Sequence, residues 1–443
     1  MIERQAQRPS LSTLWIYALG QLGWSLASYG IGSLLTYFYM PPEVSDSKVI
    51  FPSFISQMPF WGLTLIGVIG FSGRLLDAFI DPFVANLSDK TKSPFGKRKL
   101  FMAIAALPLA VFSFLIFMPI TEGVSFTNTL WLAITVFFFY VSLAVYVIPY
   151  NALISELGHV KEDRVKISTI ISVTWALGFL IGYSTPILQG VLEKKGFSSV
   201  AAFQTVTGAL AVISFIFMVI PVLFLDENKY ALQSNTTTNF KESLRSTFEN
   251  AKFRHFSIMY LLYWLSMSFI QLGMLYYVTL LFGFDKSMAG IFGGLSFLIS
   301  FLLYPTMAYF ERRFGKKQTI LAGFMMLAVI FILFLFPLPN MIRFVSISVL
   351  AGFPLAAFGI IPNTIVADIV HDNTEKTGRN QAGMFYGVTA FMMKVGISLA
   401  NLIFPSLLLF GKSVENPLGV QLSLVMALIF CGLGFWSFRN YED

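Results

Sequence analysis

The feature that most constrains this chain is the near-continuous recurrence of apolar runs of about 20 residues or more, each long enough to cross a hydrocarbon core as a helix. A soluble fold cannot hide so many, since its helices bury one stripe and hydrate the other. In lipid every backbone amide must find its partner inside the protein, which leaves helices or a closed barrel, and apolar runs of this length without alternation are helices. The balance of 56% hydrophobic and 12% charged residues agrees, where a soluble protein carries roughly 25% charged. An all-α membrane protein is expected. The N-terminal MIERQAQRPSLS is polar, and the apolar stretch after it is too long and too aromatic for a signal peptide, so the first helix is expected to stay. Cys431 is the sole cysteine, which leaves no disulfide or thiolate metal site within one chain.

Cutting at polar interruptions gives twelve candidate transmembrane helices, approximately 11–40, 57–88, 99–120, 127–157, 165–192, 199–225, 256–283, 287–310, 318–337, 341–371, 380–410 and 417–438. The loops on one side carry KTKSPFGKRK (90–99), KEDRVK (161–166) and ERRFGKK (311–317), whereas the opposite loops hold only scattered cations such as Lys48, Arg343 and Lys412. The bias toward positive charge inside places both termini in the cytoplasm of a multi-pass protein of the cytoplasmic (plasma) membrane. The net charge of +7 therefore serves topology, and no nucleic-acid partner is expected.

One long polar interruption, 226–255, divides the chain into an N-terminal six-helix half (1–225), a cytoplasmic linker and a C-terminal six-helix half (256–443). SPFGKRK after the second span is echoed by RRFGKKQ after the eighth, which occupies the matching position of the second half. Parallel six-helix repeats with a substrate path between them are the plan of the major facilitator fold.

Within the second run, Arg74, Asp77 and Asp81 are spaced three and four apart, so on a helix they project from one narrow stripe. Charges at membrane depth are costly and by default functional. Two carboxylates a turn apart repel unless a cation lies between them or one is protonated, which suits reversible capture of H⁺ or Na⁺. Lys394, central in the eleventh run, has no acidic neighbour on its own helix, and Asp77 or Asp81 is its candidate partner. Glu156, Asp368 and Asp372 lie toward cytoplasmic ends near Arg164 and Arg379, where ion pairs closing a cytoplasmic gate are expected. Candidates for the substrate path are Gln21, Ser25, Tyr146, Asn151, Trp175, Trp264 and Gln271, because amides and indoles inside a membrane need partners and can grip a solute.

DAFIDP (77–82) with SDKTKSPFGKRK (88–99), IPYNALISELGHVKEDRVK (148–166) and ADIVHDNTEKTGRNQAGMFYGVTAFMMK (367–394) occur in this order across nearly the whole chain. Together they resemble the glycoside-pentoside-hexuronide:cation symporter family, which is melibiose permease-like. The resemblance implies a major facilitator fold and cation-coupled import of a small organic solute, with Asp77 and Asp81 matching the cation-binding carboxylates. Arg74 would match the arginine one turn earlier, and Lys394 the lysine that communicates with the cation site. Sugar-carrying members hold an aspartate where Ser25 stands here, another at Val147, and an arginine near Ser172 or Trp175, so all three sugar anchors are missing. Ile80 and Ala144 replace polar residues near the cation site, which favours H⁺ over Na⁺.

The expected function is a monomeric, cation-coupled symporter importing a sugar or glycoside by alternating access. The alternative is a carrier of lysolipid-like amphipathic molecules, since the resembling family includes such members and the sugar carboxylates are lost. No organic cofactor is expected. An enzyme is not expected either, because no nucleophile–base set or metal motif is visible and His159, His255 and His371 fall at loop edges.

Overall fold

The computed structural model describes residues 7–44, 48–58, 61–231, 249–377 and 382–441. They form α1 (Leu11–Tyr29), the short α2 (Leu35–Tyr39), α3 (Leu65–Lys90), α4 (Lys97–Leu115), α5 (Phe126–Leu157), α6 (Lys161–Tyr183), α7 (Thr185–Lys194), α8 (Ser199–Phe224) and α9 (Glu227–Tyr230). There follow α10 (Ala251–Tyr276), α11 (Ser287–Phe314), α12 (Lys316–Leu335), α13 (Asn340–Leu350), α14 (Gly352–Thr377), α15 (Ala382–Leu407) and α16 (Leu418–Arg439). A two-strand hairpin, β1 (Glu43–Val44) and β2 (Lys48–Val49), is the only sheet among the described residues. Ten membrane-length apolar helical segments make this an integral, multi-pass, all-α membrane protein. The long helices α1 and α3 are more polar than those ten: Gln21 and several hydroxyls interrupt α1, and Arg74, Asp77 and Asp81 interrupt α3.

Local chemistry sets the helix ends. Ser10, Ser125, Ser198 and Asn250 cap α1, α5, α8 and α10, each side chain accepting a hydrogen bond from a backbone amide three residues on. The second expected span starts late, at Leu65 rather than 57. Trp61 (φ 55°) and Gly62 (φ 78°) adopt left-handed conformations, and the Thr64 hydroxyl then accepts the Gly67 amide at 3.2 Å. The expected spans 165–192 and 341–371 are each two helices, broken at Ser184 before Pro186 and at Ala351.

The described residues cluster into two compact units, one within 1–41, 51–56 and 72–236, the other within 42–50, 57–71 and 237–443, with the boundary inside α3. In the first, α1 packs on α6 and α8 through small residues. A side chain on Gly23 would lie 2.7 Å from the Met218 amide and Ser214 carbonyl, and one on Gly178 would meet the Ser25 hydroxyl at 2.0 Å. Tyrosines then tie helices to one another's backbones: the Tyr17 and Tyr150 hydroxyls each donate to the other's carbonyl, at 2.6 and 3.1 Å, with rings stacked at 4.4 Å. In the second unit α10 packs on α15 and α16, Gly396 lying against the Leu261 carbonyl. The Tyr277 hydroxyl meets Ser423 Oγ at 2.9 Å, and Phe282 stacks on Phe334.

Gly23→Ala must push two helix backbones apart and is expected to cost about 1–3 kcal/mol, lowering the thermal midpoint in detergent. Gly190→Ala in α7, whose new methyl meets nothing within 4 Å, is expected to be neutral or stabilising by up to about 1 kcal/mol. Equal falls for both would contradict the close approach of α1 and α8.

Candidate functional site

The charged stripe of α3 lies in the first unit and is positioned by Gly73. A methyl there would sit 2.6 Å from Val136 Cγ1 and 2.7 Å from Tyr140 Cδ2, so glycine lets α3 approach α5 closely. That approach places the Arg74 guanidinium over the Tyr140 ring, 5.7 Å from its centroid, a distance at which the ring quadrupole attracts a cation. Arg74 Nη1 donates to Asp77 Oδ2 at 3.2 Å, closing an (i, i+3) ion pair. Asp77 is 1% exposed and Asp81, one turn on, is half-buried. The arrangement is a buried aspartate paired with its own helix's arginine, with a second aspartate four residues on. Lys394 lies on α15 in the second unit, half-buried, its carbonyl accepting the Ser398 hydroxyl at 2.7 Å.

The substrate-path candidates separate sharply. Ser25 is fully buried, donates to the Leu22 carbonyl and fills the space beside Gly178, so it is a packing residue between α1 and α6. Tyr146 is fully buried and donates to the Met218 carbonyl at 2.9 Å, which makes it a tie between α5 and α8. Each hydroxyl is engaged by a backbone carbonyl inside the unit. Gln21 is buried on α1, whereas Asn151 is exposed and Gln271 half-buried. Trp175 packs on Phe179, and Trp264 lies edge-on to Tyr260 and Tyr263.

The expected gate acids take part in several ion pairs. Glu156 Oε1 accepts from Arg98 Nε at 3.1 Å and Nη2 at 2.8 Å, with Lys97 at 3.5 Å, while Arg164 Nε donates to the Gly158 carbonyl instead. Arg98 also reaches Ser88 and Asp89. Asp368 pairs with Lys316 and Asp372 with Lys252. Arg379 lies outside the described residues.

Sequence reasoning missed two groups. Arg343, read as a loop cation, is 9% exposed and donates to the Phe334 and Leu281 carbonyls while lying 4.9 Å over the Phe282 ring. Its charge answers the negative ends of two helices, and a cation soon after an apolar run is the signal that marked it. Glu227, just past α8, is 4% exposed and receives the amides of Arg98 and Lys99; nothing in its local sequence announces that contact.

The family described as MFS/sugar transport protein matches residues 16–434. The isoprimeverose transporter of Lactiplantibacillus pentosus is 26% identical, over 80% of this chain and 74% of its own length. The human sodium-dependent lysophosphatidylcholine symporter 1 is 22% identical, over 99% of this chain and 87% of its own. Among solved structures, a variant of the nucleoside transporter NupG superposes with a TM-score of 0.71 at 16% identity, covering 97% of this chain and 100% of that one. That likeness shows the major facilitator fold.

Tyr146→Phe removes one buried hydrogen bond and is expected to cost about 0.5–1.5 kcal/mol of stability without changing affinity for the transported solute. A thermal midpoint equal to wild type with a weakened affinity would return Tyr146 to the substrate path.

Proposed function

From the premise that this chain belongs to the MFS/sugar transport protein family, and is thus a transporter and not an enzyme, we propose a cation-coupled symporter. It imports a small organic solute, a sugar or glycoside, by alternating access. The observation that carries the coupling is Asp77, buried on a helix between apolar runs and engaged by Arg74 at 3.2 Å. An intramembrane ion pair costs desolvation energy that a merely structural helix avoids with apolar residues. Cation capture at Asp77 and Asp81 releases Arg74, lets Lys394 respond, and raises affinity for the solute, so that only the empty or fully loaded carrier changes state.

H⁺ is favoured over Na⁺. Sodium needs several oxygen ligands, and Ile80 and Ala144 supply none, whereas a proton needs one carboxylate. The solute reading draws on the isoprimeverose transporter among the relatives. The sugar is held without the family's usual carboxylates, since Val147 is apolar and Ser25 is buried in helix packing. A second reading, transport of a lysolipid-like amphiphile, is supported by the human relative matched over 99% of the chain and by 48 phenylalanines. The basic loops support cytoplasmic termini in a cytoplasmic membrane, and a monomer suffices for the mechanism.

Proteoliposomes given pooled labelled sugars, glycosides and lysolipids under imposed ΔpH or ΔNa⁺ test this. Sugar accumulation driven by ΔpH is expected, with Asp77→Asn reducing it by about 5–150-fold, the span of ordinary coupling energies. Lysolipid accumulation selects the second reading, and uptake indifferent to both gradients and to the substitution removes the coupling role.

A further inference from the structure

The first unit carries an anion-binding turn that its own chain fills. Gly96, at φ +100°, turns the backbone so that the first amides of α4 point together, the geometry in which successive N–H groups and a helix N-terminus attract negative charge. The Glu227 carboxylate sits in that turn: Arg98 N donates to Oε1 and Oε2 at 3.1 and 3.0 Å, and Lys99 N to Oε2 at 2.8 Å. A methyl on Gly96 would fall 2.2 Å from Oε2, so glycine is required by the carboxylate as well as by the turn. Residues around Glu227 are fastened too. Lys99 Nζ reaches the Leu225 carbonyl at 2.8 Å, Asn228 Nδ2 the Pro94 carbonyl at 2.7 Å, His159 Nε2 the Tyr230 carbonyl at 2.7 Å, and Gln7 N the Lys229 carbonyl at 2.9 Å.

We propose that Glu227 is a positioning residue whose carboxylate straps residues 225–231 onto the cytoplasmic end of the first unit and, by fixing the Arg98 backbone, aims the Arg98 side chain at Glu156. The echoing turn of the second half, at Gly315 (φ +83°), opens α12 in the same way. Burial raises the Glu227 carboxyl above its usual range, against the pull of the Arg98 and Lys99 amides. Oε2 alone takes both the Arg98 and Lys99 amides, so the side-chain oxygen of Gln should serve where Ala cannot.

Hydrogen exchange on the purified full-length protein tests this without any substrate, so its failure is distinct from failure of the transport reading. In Glu227→Ala, exchange is expected to rise about tenfold or more in both 96–100 and 225–231, with 315–319 unchanged and Glu227→Gln close to wild type. Gly96→Ala, entering from the other partner, is expected to open the same two segments. Protection of 96–100 unchanged in Glu227→Ala, or a uniform rise through both units, would overturn the proposal.

Discussion

The proposed mechanism depends on an Arg–Asp pair buried within the long helix α3. A lone Asp or Arg at the centre of a membrane helix costs about 2.5–3.5 kcal/mol on insertion scales. Here the cost is shared between Arg74 and Asp77, three residues apart in the chain and paired at 3.2 Å. Tyr140 lends its ring to the guanidinium. In the proposed symport this pair is responsive, because a cation reaching Asp77 would displace part of what Arg74 supplies.

That responsiveness requires a rigid frame. Without a hydrophobic force between helices in lipid, association rests on close packing and polar ties. Gly23, Gly73 and Gly178 bring backbones together, and Tyr17, Tyr146 and Tyr150 donate to carbonyls on neighbouring helices. At the start of α4 Arg98 gathers Ser88, Asp89 and Glu156 from α3 and α5. These contacts tie the ends of α3, α4 and α5 together.

The all-α membrane class and the family were legible in the sequence because each rests on local information. Hydropathy over one run decides whether that run can cross a membrane, and the DAFIDP stretch with its basic loop is contiguous. The Arg74–Asp77 pair was legible for the same reason, since (i, i+3) spacing on a helix is geometry. What the sequence does not display is which acceptor each polar group takes and where the backbone turns left-handed. Tyr146 and Ser25 read as polar groups awaiting a solute, but their acceptors are carbonyls that any sequence supplies invisibly. Glu156 found Arg98 rather than the nearer Arg164, whose side chain turns back onto Gly158. The late start of α3 followed from left-handed Trp61 and Gly62, only one of which is a glycine.

The most direct test is infrared difference spectroscopy of the purified protein on acidification or Na⁺ addition, comparing wild type with Asp77→Asn. The expected result is a carboxylate-to-carboxyl conversion on acidification that disappears in Asp77→Asn and is smaller in Asp81→Asn. A spectrum identical in wild type and Asp77→Asn under both conditions would contradict cation capture by the buried aspartate.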